Sequence, residues 1–125
     1  MRQAYLDNSA TTAVCRPAAD KAYAMMTACY GNPSSRHAVG FAAEQELHAA
    51  RRAVASLLAC PAEAVTFTSG GTEANNLAVL GAAAAGRRRG HHLVTTAIEH
   101  PSVAACFDEL EKQGFEVTYL DVDEY

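Results

Sequence analysis

Two short polar stretches carry the residue types from which a ligand site is made. The first is Phe67-Thr-Ser-Gly-Gly-Thr-Glu-Ala-Asn-Asn76, where an extended segment gives way to a helix. A helix start exposes backbone N–H groups that lack partners inside the helix, together with a partial positive charge. Gly70 and Gly71 let a phosphate approach the backbone and Thr72 adds a hydroxyl, so the stretch reads as a phosphate cradle. The same residues also suit a plain glycine turn with a Ser or Thr cap. The spacing is neither the GxGxxG of dinucleotide sites nor the GK[ST] of a P-loop. The second stretch is Ile98-Glu-His-Pro-Ser-Val103, at the equivalent place after the next strand. His100 is expected to face the same crevice as Thr72. An imidazole stacks on flat rings and shuttles protons near neutral pH; a turn histidine equally serves as a solvated or capping group.

Two more segments are polar without being decisive. Asp7-Asn-Ser-Ala-Thr-Thr12 reads either as a terminal tail or as an arm folded over a site. Asn32-Pro-Ser-Ser-Arg-His37 reads equally as a helix-entry loop or as part of a site. His48, His91 and His92 have no partner at ligand spacing and are assigned no role.

The elements that must position these residues follow from the apolar rhythm. Residues 1–16 are irregular. Pro17 suits a first helical turn, and Ala18 to Cys29 predicts a helix closing before Gly31. Gly31 to His37 is a loop. A long helix is expected from Val39 to Leu58, with Phe41, Leu47, Ala50, Val54, Leu57 and Leu58 largely at three- and four-residue steps, ended by Pro61. Ala64 to Thr68 reads as a buried strand, Thr72 to Ala85 as a helix, and His92 to Ala97 as a second strand. Pro101 to Gln113 reads as a helix stopped by Gly114, and Phe115 to Asp121 as a third strand. This alternation predicts an α/β fold with a parallel sheet and right-handed crossovers. Both polar turns then lie beyond the carboxyl ends of strands, where such sheets bind ligands.

Composition narrows the function classes. With 125 residues, 50% hydrophobic and 19% charged, the chain has the makings of one globular domain. Ten Lys and Arg against fourteen Asp and Glu give a net charge of −4, which argues against a dedicated nucleic-acid binder. Arg87-Arg-Arg89 reads as a solvated turn that complements a helix dipole. No apolar run is long enough to span a membrane, and Met1 to Asp7 has no signal core, so a cytoplasmic location is the expectation. Cys15, Cys29, Cys60 and Cys106 form no CxxC pair, zinc pattern or disulfide framework; reduced, mostly packed cysteines are expected.

Four segments in order, Tyr5 to Thr12, Gly31 to His37, Phe67 to Asn76 and Glu99 to Ser102, resemble those of the cysteine desulfurases. These are pyridoxal-phosphate enzymes of the class V aminotransferase group, and the resemblance runs from Tyr5 to Tyr125. The wording is similar to the nitrogen-fixation and housekeeping branch. The resemblance implies the N-terminal part of the fold-type I pyridoxal-phosphate transferase large domain, an α/β fold with a mostly parallel sheet and flanking helices. It implies an N-terminal arm over 1–16, with Asp7 and Asn8 near the active site, and an incomplete cofactor-binding domain over 17–125. It implies pyridoxal 5'-phosphate held at its phosphate by Gly71 and Thr72, with His100 stacked on the ring and assisting proton transfer, and no metal. The implied reaction converts L-cysteine to L-alanine and passes sulfur to an enzyme persulfide, for iron–sulfur cluster or thiolation pathways. Implied partners are L-cysteine, a second subunit in a homodimer and a sulfur acceptor such as an iron–sulfur scaffold, with no nucleic acid and no membrane. The Val39 to Leu58 helix has apolar surface for such an interface, though a core helix explains the same pattern.

The resemblance also has a departure. The family places its Schiff-base lysine, mobile-loop cysteine and pyridine-pairing aspartate well beyond position 125. Lys21 and Lys112 lack the family's preceding histidine, none of the four cysteines matches the loop cysteine, and Asp121 and Asp123 are not candidates for the aspartate. The expectation is therefore an N-terminal part of the enzyme, inactive alone. The alternative is a non-catalytic truncated or split module that binds a complementary chain.

Overall fold

The structure is a computed structural model that describes residues 4–123. Two compact units emerge, Met1–Thr66 and Phe67–Tyr125.

In the first unit, helix α1 (Arg16–Thr27) opens with Pro17 in its first turn, where the missing N–H costs no hydrogen bond. It ends at Thr27, two residues before the expected Cys29, because the amides of Ala28 and Cys29 both close back on the Ala24 carbonyl at 2.8 and 3.2 Å. Helix α2 (Ala38–Leu57) is capped by His37, whose Nδ1 accepts from the Gly40 amide at 3.2 Å. The Gly31 to His37 loop folds tightly onto that helix start. Ser34 N donates to Asn32 Oδ1 at 2.9 Å, and Ser35 N to the Asn32 carbonyl at 2.9 Å. A Cβ on Gly31 would lie 2.1 Å from the Val39 carbonyl oxygen, and one on Gly40 would lie 2.3 Å from that of Ser35. Only glycine permits this approach of backbone to backbone. The buried residues of α2 are Gly40, Ala43 and Ala55, all small.

The far end of α2 is closed before Pro61. Cys60 N donates to Ala55 O at 3.0 Å and Ala59 N to Ser56 O at 3.4 Å, with Ala59 at φ 51°. That is the Schellman pattern with alanine where glycine is usual. A 3₁₀ turn (Ala62–Ala64) follows.

Ala64 to Thr68, expected as a buried strand, is corrected by the structure. Among the described residues no strand is assigned there, and Thr66 and Phe67 are exposed. Val65 is extended, at φ −94° and ψ 119°. Its carbonyl accepts from Arg51 Nε at 3.2 Å, and its amide donates to Ala62 O. The β-branched residues favour extended backbone, but a strand also needs a neighbouring ladder, which composition does not disclose.

The second unit contains α3 (Gly71–Gly86), β1 (His92–Thr96), α4 (Pro101–Lys112) and β2 (Glu116–Leu120). β1 and β2 pair in parallel, from His92 opposite Glu116 to Thr96 opposite Leu120, and α4 is the crossover between them. α4 ends in a second Schellman closure. Phe115 N donates to Leu110 O at 3.0 Å and Gly114 N to Glu111 O at 2.9 Å, with Gly114 at φ 88°. Here glycine takes the left-handed position without a Cβ penalty. The turn also places Phe115 against Leu110 and Ala83, the core of this unit, with Val79, Leu80 and Leu93 packed around it. Leu110 is only 2% exposed.

All four cysteines are free, and only Cys106 is buried. Cys29 and Cys60 are half-buried and Cys15 is exposed at the entry to α1, so the mostly packed set expected from composition is reduced to one. Among the described residues no helix is long and apolar enough to cross a membrane, and no group of His, Cys, Asp or Glu could hold a metal.

Candidate functional site

The start of α3 leaves its amides uncapped. Gly70 is the N-cap and makes no side-chain cap hydrogen bond, so the Ser or Thr cap of the alternative reading is not realised. Ser69 lies one position too early to cap and bonds instead to Glu73. Its amide and hydroxyl donate to Glu73 Oε2 at 2.7 and 2.6 Å. These bonds, the hydroxyl first and the amide second, hold the Glu73 carboxyl below its usual range. The carboxylate is thereby drawn back to Ser69. Thr68 Oγ1 donates to Gly70 O at 3.1 Å. A Cβ built on Gly70 or Gly71 meets nothing within 4 Å, so the space in front of this helix start is open. Exposed Gly71 and Thr72 thus offer amides and a hydroxyl to that space. This donor set suits a phosphate and a positive helix end favours one.

The start of α4 is arranged differently. His100 is its N-cap: Nδ1 accepts from the Ser102 amide at 3.1 Å and lies 2.8 Å from Ser102 Oγ. Pro101 occupies the first turn. Glu99 Oε1 accepts from Thr96 Oγ1 at 2.9 Å, which ties the turn to the end of β1. The capping alternative for His100 is therefore observed, and the ring remains exposed.

One bond brings the two helix starts together. Asn75 Nδ2, in the second turn of α3, donates to Ser102 Oγ in the first turn of α4 at 2.8 Å. Both residues are half-buried. Reading the sequence alone assigns no role to either. The available signal was a polar Asn75 among alanines and leucines on α3, three positions after Thr72 and therefore on the same side of the helix.

The remaining sequence candidates are accounted for locally. Asp7, Asn8, Ser9 and Thr12 bond among themselves: Thr12 Oγ1 donates to Asn8 Oδ1 at 2.8 Å and Ala10 N to Asp7 O at 3.2 Å. Lys21 pairs with Glu46 of α2 at 2.5 Å, and Lys112 with Glu109 at 3.8 Å, so both lysines sit in surface ion pairs. His48 lies 3.7 Å from Glu44, His91 tilts against Phe115 at 5.6 Å, and His92 Nε2 is 2.7 Å from Thr118 Oγ1. A cavity of about 590 Å³ lies elsewhere, beside Ala78, Ala82, Gly86, Leu93 and Phe107, and includes none of Gly71, Thr72 and His100. The candidate chemistry is at the uncapped start of α3 and the histidine-capped start of α4.

Residues 4–125 match the family described as Aminotransferase class-V. The chain belongs to the class V aminotransferases. Among members of that family, it is 48% identical over 119 residues to a NifS/IcsS protein homolog of Lactobacillus delbrueckii subsp. bulgaricus, covering 95% of this chain and 31% of that protein. It is 46% identical over 121 residues to the cysteine desulfurase IscS of Neisseria gonorrhoeae, covering 96% and 30% respectively. The solved structure of a NifS-like protein superposes with a TM-score of 0.83 at 33% identity, over 90% of this chain and 31% of that one. The mixed helix and parallel-sheet fold is therefore the one expected for fold-type I enzymes of the class V aminotransferase group. The chain spans about a third of the length of these relatives.

Proposed function

We propose that this chain supplies the phosphate-binding and ring-facing side of the pyridoxal-phosphate site of a cysteine desulfurase. The observation that carries the reading is the Asn75–Ser102 bond, which sets the uncapped start of α3 beside the histidine-capped start of α4. The Gly71 and Thr72 amides and the Thr72 hydroxyl would hold the phosphate, and His100 would lie on the ring. When bound, the cofactor supplies an electron sink for chemistry at the substrate's α-carbon. The chain's own part is to bind and orient. The donors at Gly71 and Thr72 favour the anionic phosphate, and the open space before Gly70 and Gly71 admits it to the backbone. His100, with Nδ1 engaged by the Ser102 amide, offers Nε2 for holding or passing a proton.

In this reading residues 1–16 are an arm and 17–125 belong to the cofactor-binding α/β domain. The whole enzyme is a cytoplasmic homodimer that converts L-cysteine to L-alanine and hands sulfur to an acceptor such as an iron–sulfur scaffold. Support comes from the relative in Neisseria gonorrhoeae named cysteine desulfurase IscS. Lys21 and Lys112, both in surface ion pairs, leave the chain without a cofactor-anchoring lysine of its own, so it is inactive alone.

The test is a calorimetric titration of the purified chain with pyridoxal phosphate. Weak binding that inorganic phosphate competes away, and that Gly71→Asp abolishes, is expected, with no alanine released from cysteine. Binding indifferent to Gly71→Asp and Thr72→Val, or turnover of cysteine by this chain, overturns the reading.

A further inference from the structure

We propose that Asn75 and Ser102 are positioning residues that fix the His100 ring in its Nε2–H tautomer. The proposal rests on the reading of His100 as the group against the cofactor ring and deepens it. The argument is one of donors and acceptors. A backbone amide can only donate, so the Ser102 amide, 3.1 Å from Nδ1, requires a lone pair there. In the neutral ring the proton then resides on Nε2. The side chains extend the same polarity. Asn75 Nδ2 can only donate, and it occupies a lone pair of Ser102 Oγ at 2.8 Å. The Ser102 hydroxyl is left with its hydrogen to give, and its nearest acceptor is His100 Nδ1 at 2.8 Å. The order is fixed as Asn75 to Ser102 to Nδ1. A proton placed on Nδ1 would oppose the amide, the hydroxyl and the positive end of α4 together. Any proton that His100 takes or gives therefore passes through Nε2; the Ser102 amide and hydroxyl set this, and Asn75 on a different helix supports it by fixing the direction of the hydroxyl.

The experiment uses the ¹⁵N-labelled 125-residue chain without cofactor. Long-range ¹H–¹⁵N spectra near neutral pH distinguish pyridine-like from pyrrole-like ring nitrogens, and His100→Gln identifies its signals among the five histidines. The expected pattern is pyridine-like Nδ1 and pyrrole-like Nε2. Ser102→Ala removes the hydroxyl. Asn75→Asp, close in volume, replaces the donor by an acceptor and turns the hydroxyl away from Nδ1. Both are expected to move the Nδ1 resonance part of the way from its pyridine-like position toward that of a ring with mixed tautomers, the Ser102 amide still holding the remainder, while Ser102→Thr restores it. Far-UV circular dichroism confirms the fold of each variant, and Asn75→Asp decides the matter if Ser102→Ala loses helix. A protonated Nδ1 in the parent chain overturns the proposal, as does a spectrum unmoved by both substitutions. No cofactor is added, so this result stands apart from the pyridoxal-phosphate titration: either can fail without the other.

Discussion

The two units of the chain are held by different means. In Phe67–Tyr125 large side chains form a core: Leu110 and Phe115 meet Ala83, and Cys106 and Phe107 are also buried. In Met1–Thr66 the buried residues of α2 are Gly40, Ala43 and Ala55, and α1 buries none. Several large apolar groups of this unit, Tyr23, Met26, Phe41 and Leu57 among them, are 58% to 87% exposed, and Met25, Leu47 and Val54 are half-buried. Its order comes instead from close backbone approaches at Gly31 and Gly40, a helix closure at Ala59 and the Lys21–Glu46 pair. A side-chain core tolerates exchange of one apolar group for another of like volume. A backbone contact tolerates nothing larger than hydrogen.

That contrast is sharpest under substitution. Leu110→Ala is expected to cost about 3 kcal/mol, read by chemical denaturation, with loss of amide-exchange protection confined to Phe67–Tyr125. Equal loss in α2 would show that the contrast fails and the chain opens as one. Gly40→Ala presses a methyl against the Ser35 and Asn32 carbonyls, and about 2 kcal/mol is expected, of the order of other overpacked sites. If Gly40→Ala is neutral, the loop yields more readily than its geometry implies. The two Schellman ends give an internal control. Gly114→Ala is expected to cost about 1 kcal/mol, whereas Ala59→Gly gains roughly 0.5 kcal/mol, since the left-handed penalty exceeds the backbone entropy of glycine. The smallest effect concerns Glu73. Its folded carboxyl titrates below its unfolded range, so its contribution is present above the unfolded value and lost as pH falls through the folded one. Ser69→Ala should lower the neutral-pH melting temperature slightly and flatten that acid limb in a pH series of thermal melts, the two proteins converging at low pH.

Much of this was legible in the sequence, and the exceptions share a cause. The helices before and after β1, the parallel pair and the two polar turns follow from apolar period and from Gly and Pro as stops, because those signals are local. The end of α2 was placed by Pro61, but the closure is made by Ala59, a residue whose type does not advertise a positive φ. Ala64 to Thr68 had strand composition without a partner. Gly71, Thr72 and His100 were visible as types at a helix start. What was not visible was that Ser69 bonds Glu73 in preference to capping α3, or that Asn75 reaches Ser102. Those are choices among several hydrogen-bond partners, and only the folded geometry makes them.

The parallel register has a kinetic consequence. His92 cannot meet Glu116 until the chain between them has closed, and the entropy of that closure precedes any ladder bond. α4 fills most of that span and ends by turning Phe115 onto Leu110, a contact made across a few residues. The expected transition state therefore contains α4 and its glycine turn, with the strand ladder zipping afterwards; conservative substitutions in α4 should slow refolding, and those at Val117 should mainly hasten unfolding. His100 is the N-cap of that nucleus. The bond from the Ser102 amide to its imidazole is expected to form with α4, before the sheet exists.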